Sequence, residues 1–448
     1  MRLEDVFNEK LTENGDRAYN SSLNKYIDLV FRLGEFRNNP NLINITLDKD
    51  NDYDLWLARA IRDCRIGFGE REVGRVLLEQ VKDKPINIFN VGRADDIFYI
   101  GLRLVETKQD LGGGKYWNYL YEVLVNKDRY SYEEVNNITK WLPRERGNNK
   151  QNVKKFRKVF GLTSKQYRKA VANNTTVESV LSRGETVKKY ETVPSLAMLK
   201  HFKTFDTKDH DNFESYLEGV KKGEKKLNTS TTTPYDLYKK YRDRKIKAED
   251  CDIIFNQMKK VDLGKILPII DVSGSMFDNF DSIGKAISIG HYVSKNSSYM
   301  NNQFLTFSNR PKLVKLANDY KKDMNIIESA DWGYNTDFGK VMELIGKADE
   351  DLPNFILVLS DMEFDSGSKD SKDIVMKKLH RHNPNLKIIW WNIAMDKSTF
   401  PETDSYGNIF LSGYNPRLLE LLEVGFDGQK FIDNIVYTYK EKMKDIII

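Results

Sequence analysis

The stretch ILPIIDVSGSM (residues 266–276) decides how this chain is read. A mostly apolar run leads straight into Asp271, and Ser273 and Ser275 follow at alternate positions. An apolar run of that length bounded by turn-forming residues reads as a strand buried on both faces. The acid and the two hydroxyls at its end allow three readings: a helix N-cap, a catalytic pair or a metal site.

The segments that follow narrow the choice. From about residue 263 the pattern alternates between strand and helix. The strands are KILPIIDV, NQFLTFS, NFILVLSD and LKIIWWNIA, and the helices are SIGKAISIGHYVSK, FGKVMELIGKA, DIVMKKLHRH and NPRLLELLEV. Near-continuous apolar strands alternating with helices predict a doubly wound α/β domain, a parallel sheet covered on both faces. Ligands in such sheets bind beyond the carboxyl ends of the strands, where the strand order reverses. Asp361 closes NFILVLS as Asp271 closes KILPII, and the loop GYNTDF (333–338) places Thr336 just before a helix. Asp271, Ser273, Ser275, Thr336 and Asp361 form an oxygen-only set drawn from three loops on one edge. That is the chemistry of a hard divalent cation such as Mg2+, which takes an octahedron of oxygens from one or two carboxylates and waters. Five histidines and two distant cysteines, Cys64 and Cys251, do not suit a softer metal. D-x-S-x-S alone is a weak signal; the buried strand before it, with NTDF and LSD in order behind it, makes it a strong one.

The first half reads as helices. NFESYLEGV sets Phe213, Tyr216, Leu217 and Val220 on one helical face, and KYIDLVFRL does the same with Ile27, Val30 and Phe31. Short polar or glycine-containing turns separate such segments, which predicts packed helix pairs of the helical-repeat, HEAT-like kind. The stretch KKGEKKLNTSTTTP (221–234) has no apolar period and reads as a linker. The division expected is therefore a helical-repeat domain over 1–262 and an α/β domain over 263–448.

Charge is uneven along the chain. The net formal charge is +5, yet residues 140–190 carry 14 Lys/Arg against 3 Asp/Glu. Lys154, Lys155, Arg157, Lys158, Lys165, Arg168 and Lys169 are its densest group, with Phe156 and Tyr167 interleaved. Cations with aromatics between them suit single-stranded RNA, by phosphate contact and base stacking. A helix with one wet basic face and its aromatics in the core produces the same pattern. No signal-like or membrane-spanning apolar run is evident in the sequence, the mean hydropathy is −0.59 and the two cysteines read as reduced thiols, so a cytoplasmic monomer with no membrane contact is expected. Neither GFGERE (67–72) nor GGGK (112–115) completes a nucleotide-binding motif. His380 and His382 point apart on a helix, and Trp390 and Trp391 fall in an apolar strand, where they read as core.

DVSGSM, NTDF and LSD together closely resemble the metal-ion-dependent adhesion site of von Willebrand factor A domains. In that family the first-loop Asp and two Ser, a second-loop Thr and a third-loop Asp surround Mg2+ or Mn2+. Matched residue by residue, these are Asp271, Ser273, Ser275, Thr336 and Asp361. The third loop departs from the common T-D-G and reads Ser360-Asp361-Met362-Glu363, with Glu363 and Asp365 adding charge. RDCRIGFGERE (62–72), VGRADD (91–96), QYRKAV (166–171), WGYNTDF, LSDMEFD and LSGYNP resemble a family labelled a domain of unknown function, found in plants, giant viruses and phages. That family is similar to the Ro autoantigen, in which a helical TROVE ring joins a von Willebrand A domain. The resemblance implies a non-enzymatic ribonucleoprotein component that binds structured RNA or single-stranded RNA ends on its helical part. It also implies a protein partner that offers a carboxylate to the metal. A protein-only scaffold is the alternative, and a metal-dependent phosphoesterase lacks a Lys, His or Arg motif beside Asp271 or Asp361 to activate a nucleophile.

Overall fold

A computed structural model describes residues 9–11, 17–19, 24–63, 65–106, 113–126, 129–159, 161–171, 177–229, 231–258, 260–271, 276, 280–307, 310–330, 338–347, 352–362, 376–394, 408–415, 418 and 428–447. Among them the chain is helical up to residue 257, apart from the short antiparallel pair β1 (Glu9–Leu11) and β2 (Arg17–Tyr19). A mixed α/β sheet follows. The packing forms two compact units, one of residues 1–39 with 191–432 and the other of 40–190 with 433–448. These units cut the chain elsewhere than 262/263, where the element type changes. Among the described residues no helix is long and apolar enough to cross a membrane.

The sheet of the first unit contains β3 (Ile266–Asp271), β4 (Gln303–Phe307), β5 (Leu313–Lys315), β6 (Phe355–Ser360), β7 (Lys387–Asn392) and β8 (Ile409–Ser412), in the order β5-β4-β3-β6-β7-β8. All neighbours are parallel except the edge pair β4–β5. The order runs outward in one direction from β3 to β4 and in the other from β3 to β6, so the reversal lies between β3 and β6. Alternation along each strand fills both faces. Leu267, Ile269, Leu305, Phe307, Ile356, Val358, Ile388 and Trp390 join one core cluster with Val341 and Met342 of the helix Phe338–Ile345. Ile266, Ile270, Leu357, Leu359, Ile389 and Trp391 are also buried and point to the other face. Trp390 and Trp391 are thus core residues, as their apolar neighbours predict.

The helices Ser195–Lys208, His210–Lys221, Pro234–Arg242 and Ala248–Gln257 belong to the same unit as the sheet. Phe213, Tyr216, Leu217 and Val220 are all buried, as their spacing predicts. The 221–234 linker is docked: Leu227 is buried and Thr229 Oγ1 donates to the Gln257 carbonyl. It ends in a capping box, where Thr233 and Asp236 satisfy each other's backbone N–H ahead of Pro234. Tyr235 and Tyr238 then lie across Gly284 of the helix Phe280–Asn296, so closely that a Cβ there would meet either ring at 3.0 Å. Further along that helix, buried His291 and half-buried Lys295 both contact Asp323 Oδ2, at 3.0 and 2.8 Å, fastening it to the helix Tyr320–Glu328. Burial holds the His291 imidazole below its ordinary pKa.

LSGYNP acquires a structural reason. Gly413, at φ +77°, ends β8 against Gly34 of the helix Leu33–Asn38, and a Cβ on Gly413 would lie 2.3 Å from the Gly34 carbonyl carbon. Only a backbone free of side chains on both sides permits that approach. Tyr414 OH beside it accepts the Tyr235 N–H at 3.0 Å.

The second unit packs the helices Asp52–Arg62, Arg71–Gln80, Pro85–Val91, Ala94–Glu106, Gly113–Val125, Tyr132–Thr139, Lys150–Val159, Ser164–Ala170 and Val177–Ser182, and ends in residues 433–448. RDCRIGFGERE and VGRADD meet here in one buried ion network. Arg62 Nη2 donates to Asp96 Oδ2 at 2.6 Å, and Arg75 donates to Asp96 at 2.7 Å and to Asp95 at 3.0 Å. Arg59 makes a bidentate pair with Asp83, both bonds at 2.7 Å. Buried charges persist only when paired and hydrogen-bonded in this way.

Candidate metal centre and basic surface

At the carboxyl ends of the parallel strands the apolar pattern gives way to a polar row. Register places Asp271 beyond the Ile270–Leu359 pair, hence beside Ser360; Ser360 is opposite Asn392, and Asn392 opposite Ser412. All four are buried, Asp271 completely, and so is Asp361. Ser360 Oγ donates to Asp271 Oδ2 at 2.5 Å and accepts the Met362 N–H at 3.0 Å. Met362 sits at φ +66°, a backbone conformation that side chains disfavour. The turn that carries Asp361 is therefore held in a strained shape by the same hydroxyl that fixes Asp271.

Of the five residues read from sequence as metal ligands, the structure brings Asp271 and Asp361 to the ends of adjacent strands, β3 and β6, at the order reversal. Ser273, Ser275 and Thr336 lie outside the described residues, as do Glu363 and Asp365. Carboxylate oxygens at the ends of neighbouring strands are the donor type that a hard, oxygen-seeking cation takes. Among the described residues no three His, Cys, Asp or Glu side chains converge as a metal-binding group. In the sequence Ser360 stands out only as part of the third loop. Its role depends on the register of two strands, which its own neighbourhood along the chain does not contain.

The basic group divides into parts. Lys154, Lys158, Lys165, Arg168 and Lys169 are exposed on the helices Lys150–Val159 and Ser164–Ala170. Lys155 is paired with exposed Glu106, and half-buried Arg157 donates to Glu145 at 2.6 Å. Phe156 and Tyr167 are fully buried and pack edge to face, their ring centres 5.9 Å apart, with Phe98 and Trp117 also against Phe156. They lie on the inner faces of the two helices, and neither ring is open to a base.

Glu145 ties this surface together. It accepts from Arg157 and from Ser164 Oγ, and Tyr167 OH donates to the Pro143 carbonyl at 2.9 Å. The Ser164 hydrogen bond, followed by Arg157, holds the Glu145 carboxyl below the ordinary glutamate range.

Over residues 265–444 the chain matches one domain of unknown function (DUF7788), and over residues 125–263 another (DUF2828). The uncharacterized protein L728 of Acanthamoeba polyphaga mimivirus is 24% identical over 496 residues, spanning 93% of this chain and 84% of that protein. Among solved structures, the RO (RSR) protein of Deinococcus radiodurans aligns with a TM-score of 0.42 at 12% identity, over 83% of this chain and 87% of that one.

Proposed function

We propose that this chain is a non-enzymatic binding protein with two separate chemistries. One is capture of an acidic side chain of a protein partner at Mg2+ or Mn2+. The other is contact with RNA through the basic helices at 150–170. The observation that carries the first is the burial of Asp271 and Asp361 at the carboxyl ends of adjacent parallel strands, where the strand order reverses. Asp271, Ser273, Ser275, Thr336 and Asp361 would hold the ion, which when bound offers a remaining coordination position to a partner's carboxylate. The residues themselves set the preference for an anion. The two carboxylates balance the charge of a divalent ion and the three hydroxyls add none, so the ligand set itself does not repel an incoming carboxylate. Ser360 keeps Asp271 in place through its short hydrogen bond.

Titrating Mn2+ into the full chain tests this reading. One ion should bind per chain, Asp271→Ala and Asp361→Ala should each abolish binding, and a short polyglutamate peptide should bind only with the metal present. Unchanged Mn2+ binding in both variants would sink it.

The RNA reading rests on the five exposed cations of the two helices. Each phosphate neutralised on a single strand contributes about −0.7 to the slope of log affinity against log salt, so five contacts give roughly −3.5. Anisotropy of a labelled single-stranded RNA across a salt series measures that slope. The burial of Phe156 and Tyr167 favours the alternative, a protein-only scaffold, and absence of RNA binding at low salt would decide for it.

A further inference from the structure

Single-strand binding normally combines cations with an exposed aromatic plane, and Phe156 and Tyr167 cannot supply one. Trp141 can. Of the described tryptophans, Trp56, Trp117, Trp390 and Trp391 are each at most 6% exposed, whereas Trp141 is 36% exposed. We propose that Trp141 is the platform on which one base of a single-stranded RNA stacks, with Arg146, Lys165, Arg168 and Lys169 taking neighbouring phosphates. The proposal rests on the RNA reading of this surface and assigns it a base-contacting residue.

Three observations lead there. First, the indole is braced: the Arg93 guanidinium lies 3.8 Å from its ring centre and the Lys140 ammonium 5.8 Å, which orients the ring and leaves part of it open. Second, the loop that follows it is tied to the basic helices through Tyr167 to Pro143, Arg157 and Ser164 to Glu145, and Arg144 to the Val171 carbonyl. A platform fixed in this way loses little freedom on binding. Third, between residues 140 and 169 Glu145 is the sole acid among eleven Lys and Arg, and Arg157 engages it. A polymer with a charge at every unit and a planar ring between charges matches that pattern better than an acidic peptide does. Burial, with the like charge of Arg93, also holds the Lys140 ammonium below the ordinary lysine value, a cost that an anionic ligand relieves.

The test uses the full chain and a labelled 15-mer oligouridylate. Trp141→Ala should weaken binding about tenfold, the loss of one base–aromatic stack, and Trp141→Phe should retain most of the affinity. The salt slope should stay at the wild-type value in both, since no cation is removed. A Lys165→Ala, Arg168→Ala, Lys169→Ala triple variant should instead lower the slope by about 2. Inorganic polyphosphate, which has charge but no base, should bind wild type and Trp141→Ala alike. Trp141→Ala binding as tightly as wild type, while the triple variant loses slope, would overturn the stacking and leave the RNA reading standing. No binding by wild type at low salt would overturn both. Should Trp141→Ala fail to fold, wild-type protein crosslinked to 5-iodouridine-substituted oligomer decides: adducts on other residues and none on Trp141 would refute the proposal.

Discussion

Ser360 uses its hydroxyl twice, as donor to Asp271 and as acceptor from the strained Met362 backbone. Replacing it with alanine takes one hydrogen bond from a buried carboxylate and one from a buried N–H. Ser360→Ala should cost about 1–3 kcal/mol in urea unfolding without added metal. It should also weaken Mn2+ binding by about tenfold or more, as loss of a ligand-orienting hydrogen bond does. Ser360→Thr, which keeps the hydroxyl, should lose less of both. An alanine variant equal to wild type on both counts would remove Ser360 from the site. Asp271 and Asp361 were legible in sequence because Asp271 directly ends one buried apolar run and Asp361 follows another by one serine, which puts each at a strand terminus. Ser360 was not, because the contact that gives it meaning spans 89 residues and exists only once β3 and β6 are in register.

At the scale of elements, the helices Lys150–Val159 and Ser164–Ala170 are joined through Glu145, whose carboxyl is held below its ordinary range. A carboxyl depressed in the folded state stabilises it above the unfolded-state value and loses that contribution as pH falls through the folded value. Unfolding midpoints of wild type and Glu145→Gln should therefore differ most at neutral pH. Their difference should shrink as pH drops below about 4.5 and vanish under the folded value. A difference constant from pH 7 to 3 would refute the assignment. The sequence left Phe156 and Tyr167 open between base stacking and a helix core, and packing placed them in the core. Strands β5 and β8 escaped the sequence reading for a related reason. They are three and four residues long, too short for a period to show, and exist because a neighbouring strand offers unpaired backbone groups. Exposed, lysine-bearing β5 also suits an edge, where charge discourages pairing with another chain.

For the molecule as a whole, the type of each segment was written locally and the partnership between segments was not. Apolar spacing by itself determined that helices occupy the first part and that a mostly parallel sheet, covered on both faces, follows from residue 266. The sequence also shows that acids stand at the ends of two buried strands, and that positive charge concentrates between residues 140 and 190. Those properties depend on residues a few positions apart, which the chain carries in order. Tertiary structure alone decided that residues 24–38 and 191–257 pack in one unit with the sheet. A pair of facing glycines, Gly34 and Gly413, and two tyrosines across Gly284 make those contacts, and nothing near either glycine in sequence names its partner. Tertiary structure also buried Phe156 and Tyr167 while leaving Trp141 at the surface. Burial depends on what the rest of the chain brings to each side of a helix, and a local pattern of residue types does not contain that information.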